Sequence, residues 1–300
     1  MYVNMSSTHV TSDVSPAGVA YLSCGPANSD FALICVHGWG CRATDYTPLF
    51  EQLSRHAPNV RAVAVDLPGH GVTPKETCEV ATVSAFAATV LSVIDQLGTS
   101  TVVLVGHSMG CRIILDTWVK AQGAGVPAIE GLVFVDGSNY KLRPKLFAFD
   151  SKDARSKDMS DEEKTAEKKE MFERMFSART PEEYKTSTLE HIEALDADYS
   201  GAIRGSFIDY DHTDMDDAMT RLGKSETPLL SLQSTDIDAE NQRIPLEAGQ
   251  TTKFMPFVQE KVPHAQQVAV EDSAHFPHVD RPDVVAKELV SFLQSLEVEL

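Results

Sequence analysis

The sequence predicts an α/β fold: a mostly parallel sheet flanked by helices and interrupted by a helical insertion. Short apolar runs rich in β-branched residues alternate with helical patterns up to Asp136. Each run ends in a polar or glycine-rich loop. Near Asn139 the composition shifts to a stretch rich in Lys, Glu, Asp and Met without strand-like runs, and strand signals return after it. Unbroken apolar runs are what strands buried on both faces require. Sheets of this kind bind ligands beyond the carboxyl ends of their strands.

Taken in order, Ala32–Val36 runs into His37-Gly38-Trp39-Gly40, and Val60–Val65 into Asp66-Leu67-Pro68-Gly69-His70-Gly71. Ala81–Leu97 reads as a helix, with apolar residues at Val83, Phe86, Val90, Val93, Ile94 and Leu97. Thr101–Val105 runs into Gly106-His107-Ser108-Met109-Gly110, and Cys111–Val119 then reads as helix. Gly131–Val135 is followed by Asp136-Gly137-Ser138-Asn139. In the insertion, Ser160 and Glu163 form a capping box ahead of an apolar stripe at Met171, Phe172, Met175 and Phe176. Packing of the insertion on the body is the plain reading of that stripe. Thr180-Pro181-Glu182-Glu183 is a second helix start, with Pro at the first helical position. Strands return at Pro228–Leu232 and Gln267–Val270, and Pro282–Leu296 is an amphipathic helix. The expected division is a core from residues 1–139 and 223–300, with 140–222 inserted.

Bulk properties narrow the class. The 300 residues are 42% hydrophobic and 23% charged, ordinary for a globular protein with a sizeable core. No apolar stretch approaches the roughly 20 residues of a bilayer span. The opening M-Y-V-N-M-S-S-T-H-V has neither a basic nor an apolar signal region. A net charge of −18 without a basic patch argues against nucleic acid or an anionic membrane as partner. Cys24, Cys35, Cys41, Cys78 and Cys111 are odd in number and irregularly spaced, which fits reduced thiols in a cytoplasmic protein. No solenoid-length repeat occurs. Homodimer formation is left open.

G-x-S-x-G has meaning between a buried strand and a helix, where the turn strains its central residue and exposes the hydroxyl. Ser108 is therefore the candidate nucleophile. A serine hydroxyl needs a base, and the base needs an orienting carboxylate. His275, in the loop after the last strand-like run, is the expected base. His278 is a neighbouring competitor, read as a loop histidine, and His107 is read as structural or pocket-lining. Asp136, Asp236 and Asp238 all stand at expected strand ends and are candidate acids. The N–H groups of Met109 and Trp39 are the expected oxyanion donors, and the Trp39 ring is either a pocket wall or a core residue. No metal or organic cofactor is implied.

H-G-W-G, D-L-P-G-H-G, G-H-S-M-G and H-F-P-H-V-D-R-P together resemble the α/β-hydrolase family, in the family's order. The resemblance covers the chain apart from the insertion. It implies a mostly parallel eight-stranded sheet, an insertion serving as a helical cap, and D-L-P-G-H-G as scaffold. Serine at the elbow argues against epoxide hydrolases and haloalkane dehalogenases, which resemble this fold but carry a carboxylate there. The family's usual acid loop has a Gly followed three residues later by Asp; here these positions are Ser234 and Ile237. Members resembling the chain in H-F-P-x-V-x-x-P, such as fungal lactone hydrolases that open zearalenone, take their acid from the sixth strand, which favours Asp136. The expected activity is serine hydrolysis of a carboxylic ester or lactone of a fairly apolar small molecule through an acyl-enzyme. C–C bond hydrolysis or acyl transfer with the same three residues, and a non-catalytic small-molecule receptor, are the alternatives.

Overall fold

The apolar runs become the middle of one sheet. The computed structural model describes residues 10–123, 127–142, 159–238 and 243–300. Its strands are β1 (Thr11–Val14), β2 (Ala20–Cys24), β3 (Phe31–Val36), β4 (Arg61–Val65), β5 (Thr101–His107), β6 (Ala128–Val135), β7 (Leu229–Gln233), β8 (Thr235–Ile237), β9 (Arg243–Pro245) and β10 (Gln266–Ala269). Eight of them form one sheet in the order β1-β2-β4-β3-β5-β6-β7-β10, while β8 and β9 pair separately. Pairing is antiparallel at β1–β2 and β2–β4 and parallel from β4 to β10.

Alternate residues of the central strands feed two cores. Ile34, Val36, Val102, Leu104, Leu132 and Phe134 pack on the face covered by α2 (Val83–Gln96) and α3 (Met109–Ala121). Leu33, Cys35, Val103, Val105, Val133 and Val135 pack on the other face, with α1 (Thr47–His56) and the closing helix Pro282–Ser295. Burial on both faces explains why these strands read as unbroken apolar runs. β1 and β2 carried no such signal because β1 is exposed throughout and β2 pairs antiparallel beside it.

Between β6 and β7 come α4 (Asp161–Glu173), α5 (Glu182–Ala194), α6 (Ala197–Thr213) and α7 (Met215–Lys224). Part of the insertion, residues 143–158, lies outside the described residues. The capping box is present, with Glu163 N–H donating to Ser160 Oγ at 3.2 Å and Ser160 N–H to Glu163 Oε2 at 2.8 Å. Two local expectations need correction. Pro181 is the N-cap, and the helix begins at Glu182. Met175 and Phe176 fall beyond the end of α4 at Glu173, so the stripe is only partly helical.

The insertion lies over the carboxyl edge of the sheet. Trp39 Nε1–H donates to Ser200 O at 2.9 Å, Arg42 to Ser187 Oγ at 2.7 Å, and Tyr199 O–H to Cys78 O at 2.6 Å. Phe172 and Ile192 join Cys41, Phe276 and Val279 in a third apolar cluster, against which Met171, Met175 and Phe176 pack. The Met/Phe stripe is thus packing between insertion and body.

Candidate active site

Strand register decides which residues meet. β3 pairs with β5 so that Val36 lies opposite Gly106, β5 with β6 so that His107 lies opposite Val135, and β6 with β7 so that Val135 lies opposite Leu232. The loops His37–Cys41, Ser108–Gly110, Asp136–Asn139 and Ser234–Thr235 therefore leave the same edge side by side.

Ser108 sits at φ 53°, ψ −110°, between β5 and α3, a backbone state that costs a non-glycine residue on the order of 1–3 kcal/mol. The bend demands its two glycines. A Cβ on Gly106 would lie 2.5 Å from Gly110 backbone atoms, and one on Gly110 would lie 2.2 Å from Val36 O. The turn leaves Ser108 only half-buried. His275 Nε2 is 2.9 Å from Ser108 Oγ, and His275 Nδ1 is 2.6 Å from Asp136 Oδ2. Asp136 accepts only, so Nδ1 carries the proton and Nε2 is left to accept from the serine hydroxyl.

Asp136 is fully buried, with φ 46°. Its Oδ1 accepts from Ser234 N–H at 3.0 Å and Thr235 N–H at 2.9 Å; its Oδ2 accepts from Thr235 Oγ1 at 2.7 Å and Arg243 Nη1 at 2.9 Å, beside His275. Burial alone would raise its pKa, but the His275 hydrogen bond, the Arg243 charge and the Thr235 hydroxyl outweigh it and hold the carboxyl well below the usual range. Asp236 is elsewhere, accepting from Lys253 N–H at 3.1 Å. Both ring nitrogens of His275 are already committed, which leaves neither for Asp236 or Asp238. Ser234, the departure at the usual acid loop, donates its hydroxyl to Ala274 O at 2.6 Å, tying the strand to the loop of His275.

Of the two expected oxyanion donors, Met109 follows Ser108 in the chain and Trp39 stands in the neighbouring loop after β3. Met109 is the first residue of α3, where an N–H has no intrahelical acceptor and the helix dipole favours negative charge. A Cβ on Gly38 would lie 3.1 Å from Ser108 Cβ, so the backbone leading into Trp39 passes close to the serine. Among the described residues, neither the Trp39 nor the Met109 N–H has a hydrogen-bond acceptor. The Trp39 ring packs between Phe172 and Phe207 of the insertion.

Buried histidines frame the site. His107 Nε2–H donates to His275 O at 2.7 Å, and its ring lies 4.8 Å from that of His275. His278 is not a loop residue as expected; it is buried in the single turn Pro277–Asp280, 4.6 Å from His107 and stacked on Tyr46. His37 accepts from Leu67 N–H at 3.0 Å and donates to Gly38 O at 2.8 Å, which only a neutral ring with its proton on Nδ1 can do. Burial pushes His107 down to about 3 and His70 to about 4, and holds His37 and His278 well below the ordinary value.

The consequence for stability has a definite sign. Unfolded histidines take up protons near pH 6.5 and these folded ones do not, so the unfolded state gains protons as pH falls and stability drops. By pH 5 the loss is about 2 kcal/mol for each of His107 and His70. Relief of repulsion among solvated acids opposes this weakly, because such charges are screened. Urea unfolding at pH 7 and pH 5 should show the loss; equal stability at both values would exclude it.

D-L-P-G-H-G acts as scaffold: Asp66 Oδ1 accepts from Ala43 N–H at 2.6 Å and Oδ2 from Val72 N–H at 3.1 Å. Sequence reasoning missed three supports. Thr235 and Arg243 hold the Asp136 carboxylate. Arg112, fully buried, is paired with Asp211 of α6, with Nε–Oδ1 at 2.8 Å and Nη2–Oδ2 at 2.6 Å, and also reaches Ser108 O at 3.2 Å and Ser138 O at 2.8 Å. None belongs to a local motif, so spacing gave no signal. All five cysteines are free. Among the described residues no His, Cys, Asp or Glu cluster is arranged to hold a metal, and no helix is long and apolar enough to cross a membrane.

The family model described as alpha/beta hydrolase family matches residues 33–288. This chain belongs to the alpha/beta hydrolase family. The α/β-hydrolase is 25% identical over 279 residues to a pimeloyl-[acyl-carrier protein] methyl ester esterase of Xanthomonas campestris, covering 88% of this chain and 96% of the relative. Among solved structures it superimposes on an aryl esterase described as putative from Burkholderia cenocepacia at TM-score 0.69 and 19% identity, covering 96% of this chain and 99% of the other. It also superimposes on an N-acyl homoserine lactonase complexed with N-hexanoyl homoserine at TM-score 0.67 and 15% identity, covering 97% and 98%. These two likenesses are of fold.

Proposed function

We propose that this α/β-hydrolase cleaves a carboxylic ester or lactone of a fairly apolar small molecule through an acyl-enzyme on Ser108. The observation that carries the reading is the unbroken hydrogen-bond chain from Ser108 Oγ through both nitrogens of His275 to Asp136 Oδ2, at 2.9 and 2.6 Å. Ser108 Oγ attacks the carbonyl carbon as His275 Nε2 takes its proton. The oxyanion is held by the N–H groups of Trp39 and Met109, each such donor being worth about 10²–10³ in turnover. His275 returns the proton to the leaving alkoxide, the C–O bond breaks and the acyl-enzyme remains. A water deprotonated by His275 then attacks the acyl carbon. The bond to Ser108 Oγ breaks as His275 returns the proton to that oxygen, and the acid leaves; from a lactone, the alcohol and acid leave as one hydroxy acid. Asp136 keeps the imidazole in the required tautomer and stabilises the imidazolium.

Residues 140–222 form the cap in this reading. The Phe276 ring beside His275, with Phe172 and Phe176 packed on it, makes the surroundings of the base apolar and supports an apolar substrate. The esterase name of the Xanthomonas relative supports ester chemistry, and the lactonase sharing the fold supports extending it to cyclic esters. The test is a fluorophosphonate probe followed by peptide mass mapping, with p-nitrophenyl esters of graded chain length and a lactone panel assayed alongside. The probe adduct should sit on Ser108 and block turnover. Hydrolysis that persists with Ser108 fully modified, or that is blocked while Ser108 stays unmodified, would remove it from the reaction.

A further inference from the structure

Arg243 has no place in the reaction as written, yet it touches the same carboxylate oxygen as the base. Its Nη1 lies 2.9 Å from Asp136 Oδ2, which also takes the His275 Nδ1–H at 2.6 Å, and 2.7 Å from Thr235 Oγ1. Its side chain is only 10% exposed and that of Asp136 not at all. Without Arg243, Asp136 still accepts from Ser234 N–H, Thr235 N–H, Thr235 Oγ1 and His275. The guanidinium is therefore not needed to satisfy the carboxylate; what it contributes is charge. It arrives on β9, which pairs with β8 outside the main sheet, Ile237 opposite Arg243.

We propose that Arg243 is a positioning residue that sets the acid limb of the pH profile, by placing a fixed positive charge on the carboxylate that orients His275. The inference rests on the Ser108–His275–Asp136 reading above. An unopposed aspartate stabilises the imidazolium and makes the base protonate early as pH falls. A guanidinium on the same oxygen offsets that stabilisation, so His275 stays neutral, and able to take the Ser108 proton, to lower pH. Among the described residues, the other titratable and charged groups around His275 are either held neutral by burial or paired. From β5, His107 donates to His275 O and is held neutral by burial, with His278 neutral behind it. From α3 come Ser108 and Arg112, the latter paired with Asp211. From the insertion, Met175 O accepts the His275 N–H at 3.1 Å.

The experiment uses the full chain with ¹³C/¹⁵N-labelled histidine. The His275 titration is followed by NMR, and kcat/KM for p-nitrophenyl butyrate is followed against pH, in the wild type, R243Q, R243M and R243K. Both neutral variants should move the kinetic acid limb and the His275 midpoint upward together by about one to two pH units, as loss of a unit charge within several ångströms requires. At pH 5 their kcat/KM should fall about tenfold or more relative to their own plateau. R243K, which keeps the charge, should stay within about half a unit of wild type. Thermal unfolding of each variant identifies any that lost the fold, and the remaining neutral variant is then read. Midpoints in R243Q and R243M that match wild type, or move down, overturn the proposal. If the wild type neither hydrolyses esters nor takes up the fluorophosphonate, the functional reading fails instead, while the NMR midpoint still reports on Arg243.

Discussion

Asp136→Asn lowers kcat/KM for ester substrates by about 10³–10⁴-fold, as expected when the base loses its orienting carboxylate. The cause lies in the donor cage around this side chain. Ser234 N–H and Thr235 N–H point at Oδ1, and the Thr235 hydroxyl, Arg243 and His275 Nδ1 converge on Oδ2. An asparagine must turn its amide –NH₂ toward one of these sets. Facing the backbone donors, it leaves two N–H groups without an acceptor. Facing His275, it donates to Nδ1 and drives the ring proton to Nε2, where it can no longer accept from Ser108. Asp236→Asn and Asp238→Asn should change kcat/KM by no more than about threefold, the scale of substitutions outside such a network. Steady-state kinetics on the three variants decides the matter, and the opposite ranking would move the role to the loop after β7.

Asp211→Ala destabilises the fold by about 3–5 kcal/mol, the penalty of leaving a buried charge unpaired. Asp211 holds Arg112 through two nitrogens and also accepts from Tyr140 N–H at 2.7 Å. The guanidinium it leaves behind is 1% exposed and lies against the Tyr140 and Phe207 rings. Differential scanning calorimetry should record a Tm lower by roughly 5–15 °C. Arg112→Met combined with Asp211→Leu should recover most of the loss, because an apolar pair carries no desolvation cost. A Tm for Asp211→Ala equal to wild type would show that the pair is not doing this job. Activity should fall with stability in the single variant, since Arg112 also binds the Ser108 and Ser138 carbonyls and joins α3 to the insertion.

Much of the architecture is legible along the chain because its causes are local. The inner strands β3, β4, β5 and β6 are buried on both faces over runs of four or more consecutive apolar residues, and those runs mark them in the sequence. The capping box at Ser160 is read from two residues three apart. The weakly marked elements were missed for the matching reason: β1 is exposed, and β8 and β9 are three residues each. Helix ends were misjudged around Pro181 and Met175, where Met175 O accepts from His275 N–H at 3.1 Å and Thr180 Oγ1 donates to Asp280 at 2.6 Å, contacts with the body that local propensity does not encode.

By itself the sequence determined the parallel α/β sheet, the family and the strand–turn–helix bend that presents Ser108, because a buried strand, a glycine-flanked serine and a following helix are short-range facts. Only the tertiary structure decided which carboxylate reaches His275, that Ser234 ties two loops instead of making room for an acid, and that Arg112 and Arg243 carry buried charge beside the site. Those outcomes depend on strand order and register, with β6 beside β5 and Val135 opposite His107. Register brings together residues more than a hundred positions apart, and no spacing along the chain encodes that proximity.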